Sequence, residues 1–169
     1  MVNKGTDDGS WYVPTFEILL NHGAATWSIF SYSGNKNDPQ SYRQWCTDPE
    51  IWRQAIPYRM SQVGEVTDLN TAGGMENLKR FLLNGYVLMF GTDVYGWVFA
   101  SGGDDPRTTG DSVAIGKPVC YKVEAGQPSG HAMTVVGYND DVWVDINKNG
   151  FVEQGERGAL RIANSWGTD

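Results

Sequence analysis

Two apolar runs limit the fold more than any other feature of this chain. They are His131-Ala132-Met133-Thr134-Val135-Val136-Gly137-Tyr138 and Ala159-Leu160-Arg161-Ile162-Ala163-Asn164. Both have the length and β-branched content of strands. Between them lie Val142-Trp143-Val144, also strand-like, and a stretch crowded with Asp, Asn and Gly. A β-connection over residues 145–156 follows from that pattern. Earlier in the chain the signals change. Val13 to Asn21 carries Pro14 in a first-turn position, four apolar residues and the stop Asn21-His22-Gly23, which predicts a short buried helix. Met75 to Leu83 sets Leu78, Phe81, Leu82 and Leu83 on one helical side before Asn84-Gly85. Ile56 to Leu69 alternates loosely and reads as a strand. Tyr86 to Gly91 reads as a buried one, and Cys120 falls in strand-like sequence. Residues 27–52 read as a long aromatic connection, and 101–116, with Gly102-Gly103 and Asp104-Asp105-Pro106, as a surface excursion. Helices come early and strands dominate the second half without regular alternation, so the expected class is α+β.

Composition narrows the partners. Twenty acidic against 13 basic residues give a net charge of −7, the wrong sign for a surface that neutralises phosphates, so nucleic acid is not an expected partner. No apolar run approaches the ~20 residues of a membrane span. The opening Met1 to Asp8 is polar and lacks the apolar segment of a signal peptide. The 40% hydrophobic content excludes a disordered chain, and two cysteines cannot make a disulfide scaffold.

Residues 145–156 fill every constrained position of the twelve-residue EF-hand calcium loop. Asp145, Asn147 and Asn149 place hard oxygen donors at alternate positions. Gly150 stands where the chain turns sharply, Phe151 offers its carbonyl, Glu153 acts directly or through water, and Glu156 closes the shell with two oxygens. The flanks are strands instead of helices, so a structural Ca²⁺ site on a β-connection is expected. A plain polar hairpin turn is the alternative, since Asn-Gly is itself a hairpin signal. Two neutral amides in the set weaken binding and suit an extracellular calcium level. No organic cofactor is expected.

The chain has two histidines. His22, at a helix end, has a structural explanation in the helix dipole. His131 follows the flexible turn Gly126-Gln127-Pro128-Ser129-Gly130 and opens an apolar strand, which sets its ring at the end of a rigid element. Ser129 to Tyr138, together with Ala163-Asn164-Ser165-Trp166-Gly167-Thr168, resembles the histidine and asparagine signatures of papain-like cysteine peptidases, in that family's order. Asp8-Gly9-Ser10-Trp11, running into a helix, is similar to the glycine-containing edge of the family's substrate cleft.

The resemblance implies a papain-like fold over residues 1–169, incomplete: part of the helical half and most of the antiparallel β half, truncated at both ends, with the calcium loop as an insertion. It implies an extracellular endopeptidase acting on polypeptide through a thiolate–imidazolium pair and an acyl-enzyme. His131 would be the base and then the acid, and Asn164 would orient its ring. Trp166 would shield that contact from water, and Gly9 and Ser10 would border the cleft. The family's cysteine setting, C-G-[SA]-C-[WY], is absent from these residues. Cys46 has no glycine framing and lies 85 positions ahead of His131; Cys120 lies eleven ahead in strand-like sequence. Neither fits the nucleophile, so the chain by itself is expected to be inactive. The alternative is a non-catalytic, calcium-dependent binding module, a pseudo-peptidase or a carbohydrate binder using some of the seven tryptophans.

Overall fold

The computed structural model describes residues 10–31, 45–126 and 130–165. It is a mixture of α-helix and antiparallel sheet, the expected α+β class. Two compact units divide the chain: one from the described residues before Val66 together with Ser165, the other spanning Val66–Asn164.

The first unit holds helix α1 (Tyr12–Asn21) and helix α2 (Pro49–Ala55), which runs into a 3-10 turn at Ile56–Tyr58. The α1 range agrees with the sequence expectation to one residue. Its burial does not: none of its residues is fully buried, and Val13 is 67% exposed. α2 begins inside the stretch expected to be a connection, 27–52, and runs three residues past its end. Its start is chemically ordinary, with the Asp48 carboxylate accepting from Glu50 N at 2.8 Å and Pro49 at the first helical position. Ala55 is buried and Gly23 lies directly against its carbonyl. The strand expected over Ile56 to Leu69 does not form. Pro57 supports the 3-10 turn, and residues 59–69 run irregularly and mostly exposed, without a pairing strand.

The second unit is built on a three-stranded antiparallel sheet in the order β1-β4-β5, where β1 is Leu88–Asp93, β4 is Gly130–Trp143 and β5 is Arg157–Ala163. A separate two-stranded sheet pairs β2 (Trp97–Ser101) with β3 (Pro118–Val123). Helix α3 (Ala72–Leu83) lies along β4. It starts where Thr71 Oγ1 accepts from Gly74 N at 3.1 Å. Leu78 is its buried anchor, and Lys79 reaches Asp140 while sitting 5.1 Å above the Tyr138 ring.

β4 explains most of the core. Its odd-numbered residues 131, 133 and 135 face inward at the start of the strand, and Met133 and Val135 are 4% exposed; Val142 and Trp143 bury its other end. Burying side chains of this size contributes roughly 1.5–3 kcal/mol each. No helix among the described residues is long and apolar enough to cross a membrane.

Candidate functional site

Register brings His131 and Asn164 together. β4 and β5 pair with Thr134 opposite Ala163, so the next step sets Asn164 opposite Met133. His131 lies two residues from Met133 and therefore on the same face, diagonal to Asn164 and within reach of a long side chain. The result is a contact of 2.9 Å between His131 Nε2 and Asn164 Oδ1. A carboxamide oxygen only accepts, so the contact holds the ring proton on Nε2. Nδ1 is then the nitrogen through which this imidazole would take up and return a proton. The ring is half-buried at the mouth of the inward face, while Asn164 is exposed.

His131 also has a cross-strand neighbour on β1. β1 places Thr92 directly across from it, one step from the Phe90–Met133 pair at two-residue spacing. Thr92 Oγ1 accepts from the Trp97 indole Nε1 at 2.7 Å. A polar residue on the inward face of an apolar strand was the available signal, visible only once the register was known.

The remaining expected residues fall in different places. Gly9 and Trp166 lie outside the described residues, as do 127–129 of the turn before His131. Ser10 is exposed at the start of α1, its hydroxyl 3.0 Å from Thr15 Oγ1 and 3.3 Å from Trp11 O. His22 is the C-cap of α1 and meets the Trp52 ring edge-on at 5.8 Å. The two cysteines are unpaired thiols, each with a nearby backbone partner: Cys46 Sγ with Asp48 O at 3.6 Å, Cys120 Sγ with Lys122 O at 3.4 Å.

At the other end of β4, some 12 residues and roughly 40 Å of strand from His131, the loop 145–156 curls around its own side chains. Asp145 accepts from Asn149 N at 3.0 Å and from Gly150 N at 2.8 Å. Asn147 Oδ1 accepts from Asn149 N, and Asn149 Oδ1 from Phe151 N. Gly150 has φ +78°, a conformation costly for any residue with a Cβ. Glu156 Oε1 takes the amides of Ile146 and Asn147 at 2.8 and 3.3 Å, which aims the carboxylate back across the loop. Its other oxygen, Oε2, is buried with no hydrogen-bond partner, an arrangement that costs about 1–3 kcal/mol or more unless something positive meets it. Among the described residues no three His, Cys, Asp or Glu side chains converge closely enough to hold a metal by themselves. The oxygen set offered here is mixed: three carboxylates, two carboxamides and the Phe151 carbonyl.

Comparison with family models, with curated proteins and with solved structures finds no match to this chain.

Proposed function

We propose that this chain carries the histidine and asparagine of a papain-like cysteine endopeptidase, with a calcium-stabilised β-connection. The observation that carries the reading is the 2.9 Å contact of His131 Nε2 with Asn164 Oδ1. Both residues stand in the two motifs that resemble the family, and the ring nitrogen engaged by the carboxamide is Nε2. In this reading a cysteine thiol, supplied from outside the described residues, gives its proton to His131 Nδ1 and attacks the peptide carbonyl. His131 then protonates the departing amine, leaving an acyl-enzyme. Water attacks the thioester as Nδ1 takes its proton, and the acid is released with the thiol restored. Asn164 keeps the ring in one orientation through both transfers.

The loop fits calcium on two grounds. Its donors are all oxygen, as a hard cation requires, and the orphaned Glu156 Oε2 is the position a cation would satisfy. Asp145, Asn147, Asn149, Phe151, Glu153 and Glu156 would hold it. The ion would supply structural stability, far from the proton transfers at His131. The amide content fits an extracellular setting.

The test is hydrolysis of a fluorogenic peptide by the protein expressed from its complete coding sequence. Turnover should be stopped by a thiol-directed epoxide and should fall about 10²-fold or more in His131→Ala. Thiol-dependent turnover that survives His131→Ala contradicts the proposal.

A second reading, a non-catalytic binding module for carbohydrate, is favoured by one observation: Trp11, Trp27 and Trp45 are 83%, 65% and 49% exposed. Flat aromatic faces in water suit sugar stacking. Glycan binding by the 169-residue chain that chelator abolishes, with no peptidase activity in the complete protein, would favour it.

A further inference from the structure

The segment between β2 and β3 is tied down by the far end of the β4–β5 hairpin. Gly103 N donates to Trp143 O at 3.0 Å, and the indole of Trp143 lies so close that a Cβ at position 103 would sit 2.3 Å from it. Asn139 Nδ2 donates to Gly110 O at 2.7 Å, and Thr108 Oγ1 to Asp141 Oδ2 at 3.1 Å. The Arg157 guanidinium completes the set, 2.9 Å from Asp141 Oδ1 and 3.7 Å from Asp105 Oδ2. Asp105 is 1% exposed, so this is the interior of the segment and not a surface decoration.

Arg157 follows Glu156 directly. The Glu156 backbone is held on both sides, its N bonded to Glu153 O at 3.3 Å and its O to Val144 N at 3.0 Å. Its side chain closes the loop 145–156 and carries the orphaned Oε2. Whatever steadies Glu156 therefore steadies the base of Arg157, and Arg157 bridges the hairpin to residue 105.

We propose that cation binding in the loop 145–156 sets the opening equilibrium of the segment 104–114 through Arg157. The proposal rests on the calcium reading and adds a consequence to it. With the cation bound, the hairpin end is closed and Arg157 holds Asp141, which takes the Thr108 hydroxyl, with the Asp105 carboxylate 3.7 Å away. Without it, repulsion among Asp145, Glu153 and Glu156 loosens the hairpin end and frees the segment. The backbone around Arg107, whose side chain is 67% exposed, then becomes accessible to solvent. Because coupling is reciprocal, loss of Arg157 should weaken cation binding by the factor that it weakens protection.

Hydrogen exchange of the 169-residue chain, read by mass spectrometry with calcium chloride or with chelator, tests this, alongside calorimetric titration with calcium chloride. The amides of Thr108, Ser112 and Ala114, bonded to Asp105 O, Thr109 O and Asp111 O, should exchange about tenfold more slowly with calcium, within the usual range of coupling. Arg157→Ala should still bind calcium, more weakly, and should lose that protection. Asp141→Asn provides the same test should Arg157→Ala fold poorly. Glu156→Gln should lose both binding and protection. Calcium heat with unchanged exchange in 104–114 overturns the coupling and leaves the site standing. Absence of calcium heat in the native chain overturns the site and the coupling together. Full calcium-dependent protection in both Arg157→Ala and Asp141→Asn overturns the route through Arg157.

Discussion

The carboxylate of Asp105 takes both arms of the Arg107 guanidinium, Nε at 2.8 Å and Nη2 at 3.0 Å, while Asp105 itself is almost wholly removed from solvent. The Arg107 side chain reaches back two residues from a largely exposed position, and its backbone N–H also donates to Asp105 at 3.1 Å. A charge placed this way has a consequence for pH.

Hydrogen bonding from Arg107, ahead of the opposing effect of burial, holds the Asp105 carboxyl below its ordinary 3.8. A carboxyl with a lower pKa folded than unfolded stabilises the fold above its unfolded value and loses that contribution as pH falls through the folded one. Urea unfolding at pH 6 and at pH 3 should show a smaller drop in Asp105→Asn than in the native chain. Equal drops would show that Asp105 does not contribute to the acid sensitivity.

Calcium should raise stability. At about one hundred times the dissociation constant, the gain expected from mass action is about 2.7 kcal/mol. Scanning calorimetry with calcium and with chelator measures it. Glu156→Gln, which removes the charge of the carboxylate bearing the orphaned oxygen, should abolish the difference. An unchanged calcium response in that variant would remove Glu156 from the site.

Leu78 is the side chain by which α3 is anchored, at 3% exposure. Leu78→Ala should cost about 2–5 kcal/mol. The loss would appear in chemical denaturation as a lower midpoint. A cost below about 1 kcal/mol would mean that the helix is held by Lys79 and its polar contacts instead.

A thiol-directed epoxide applied to the 169-residue chain should label neither Cys46 nor Cys120 in a way that depends on His131. Both thiols have backbone partners two residues away, and neither stands in the family's cysteine motif. Labelling of Cys46 that disappeared in His131→Ala would make Cys46 the nucleophile.

Where periodicity and stop signals agreed, the sequence was readable. α1 and α3 end at Asn21 and Leu83, next to the His-Gly and Asn-Gly pairs that mark the stops, and Gly85 has φ +81°. β4 proved longer than its apolar run because Asn139, Asp140 and Asp141 each find a polar partner outside the strand: Gly110 O, Lys79 and Arg157. Helix α2 is short and straddles the end of the aromatic stretch at Trp52, although Asp48-Pro49-Glu50 is a sound helix start. Ile56 to Leu69 misled through weak alternation; a strand needs a partner, which a local pattern does not supply. The His131–Asn164 meeting was legible as two motifs in order. Thr92 and Arg157 were not, because cross-strand register and distant ion pairs are set by the assembled sheet.

The most direct test of the central claim is the protonation pattern of the His131 ring, read by nitrogen-15 NMR at a pH where the ring is neutral. The contact with Asn164 Oδ1 requires the proton on Nε2 in the native chain, and Asn164→Ala should lose that single-tautomer preference. A native ring protonated on Nδ1, or a tautomer balance identical in Asn164→Ala, would contradict the account.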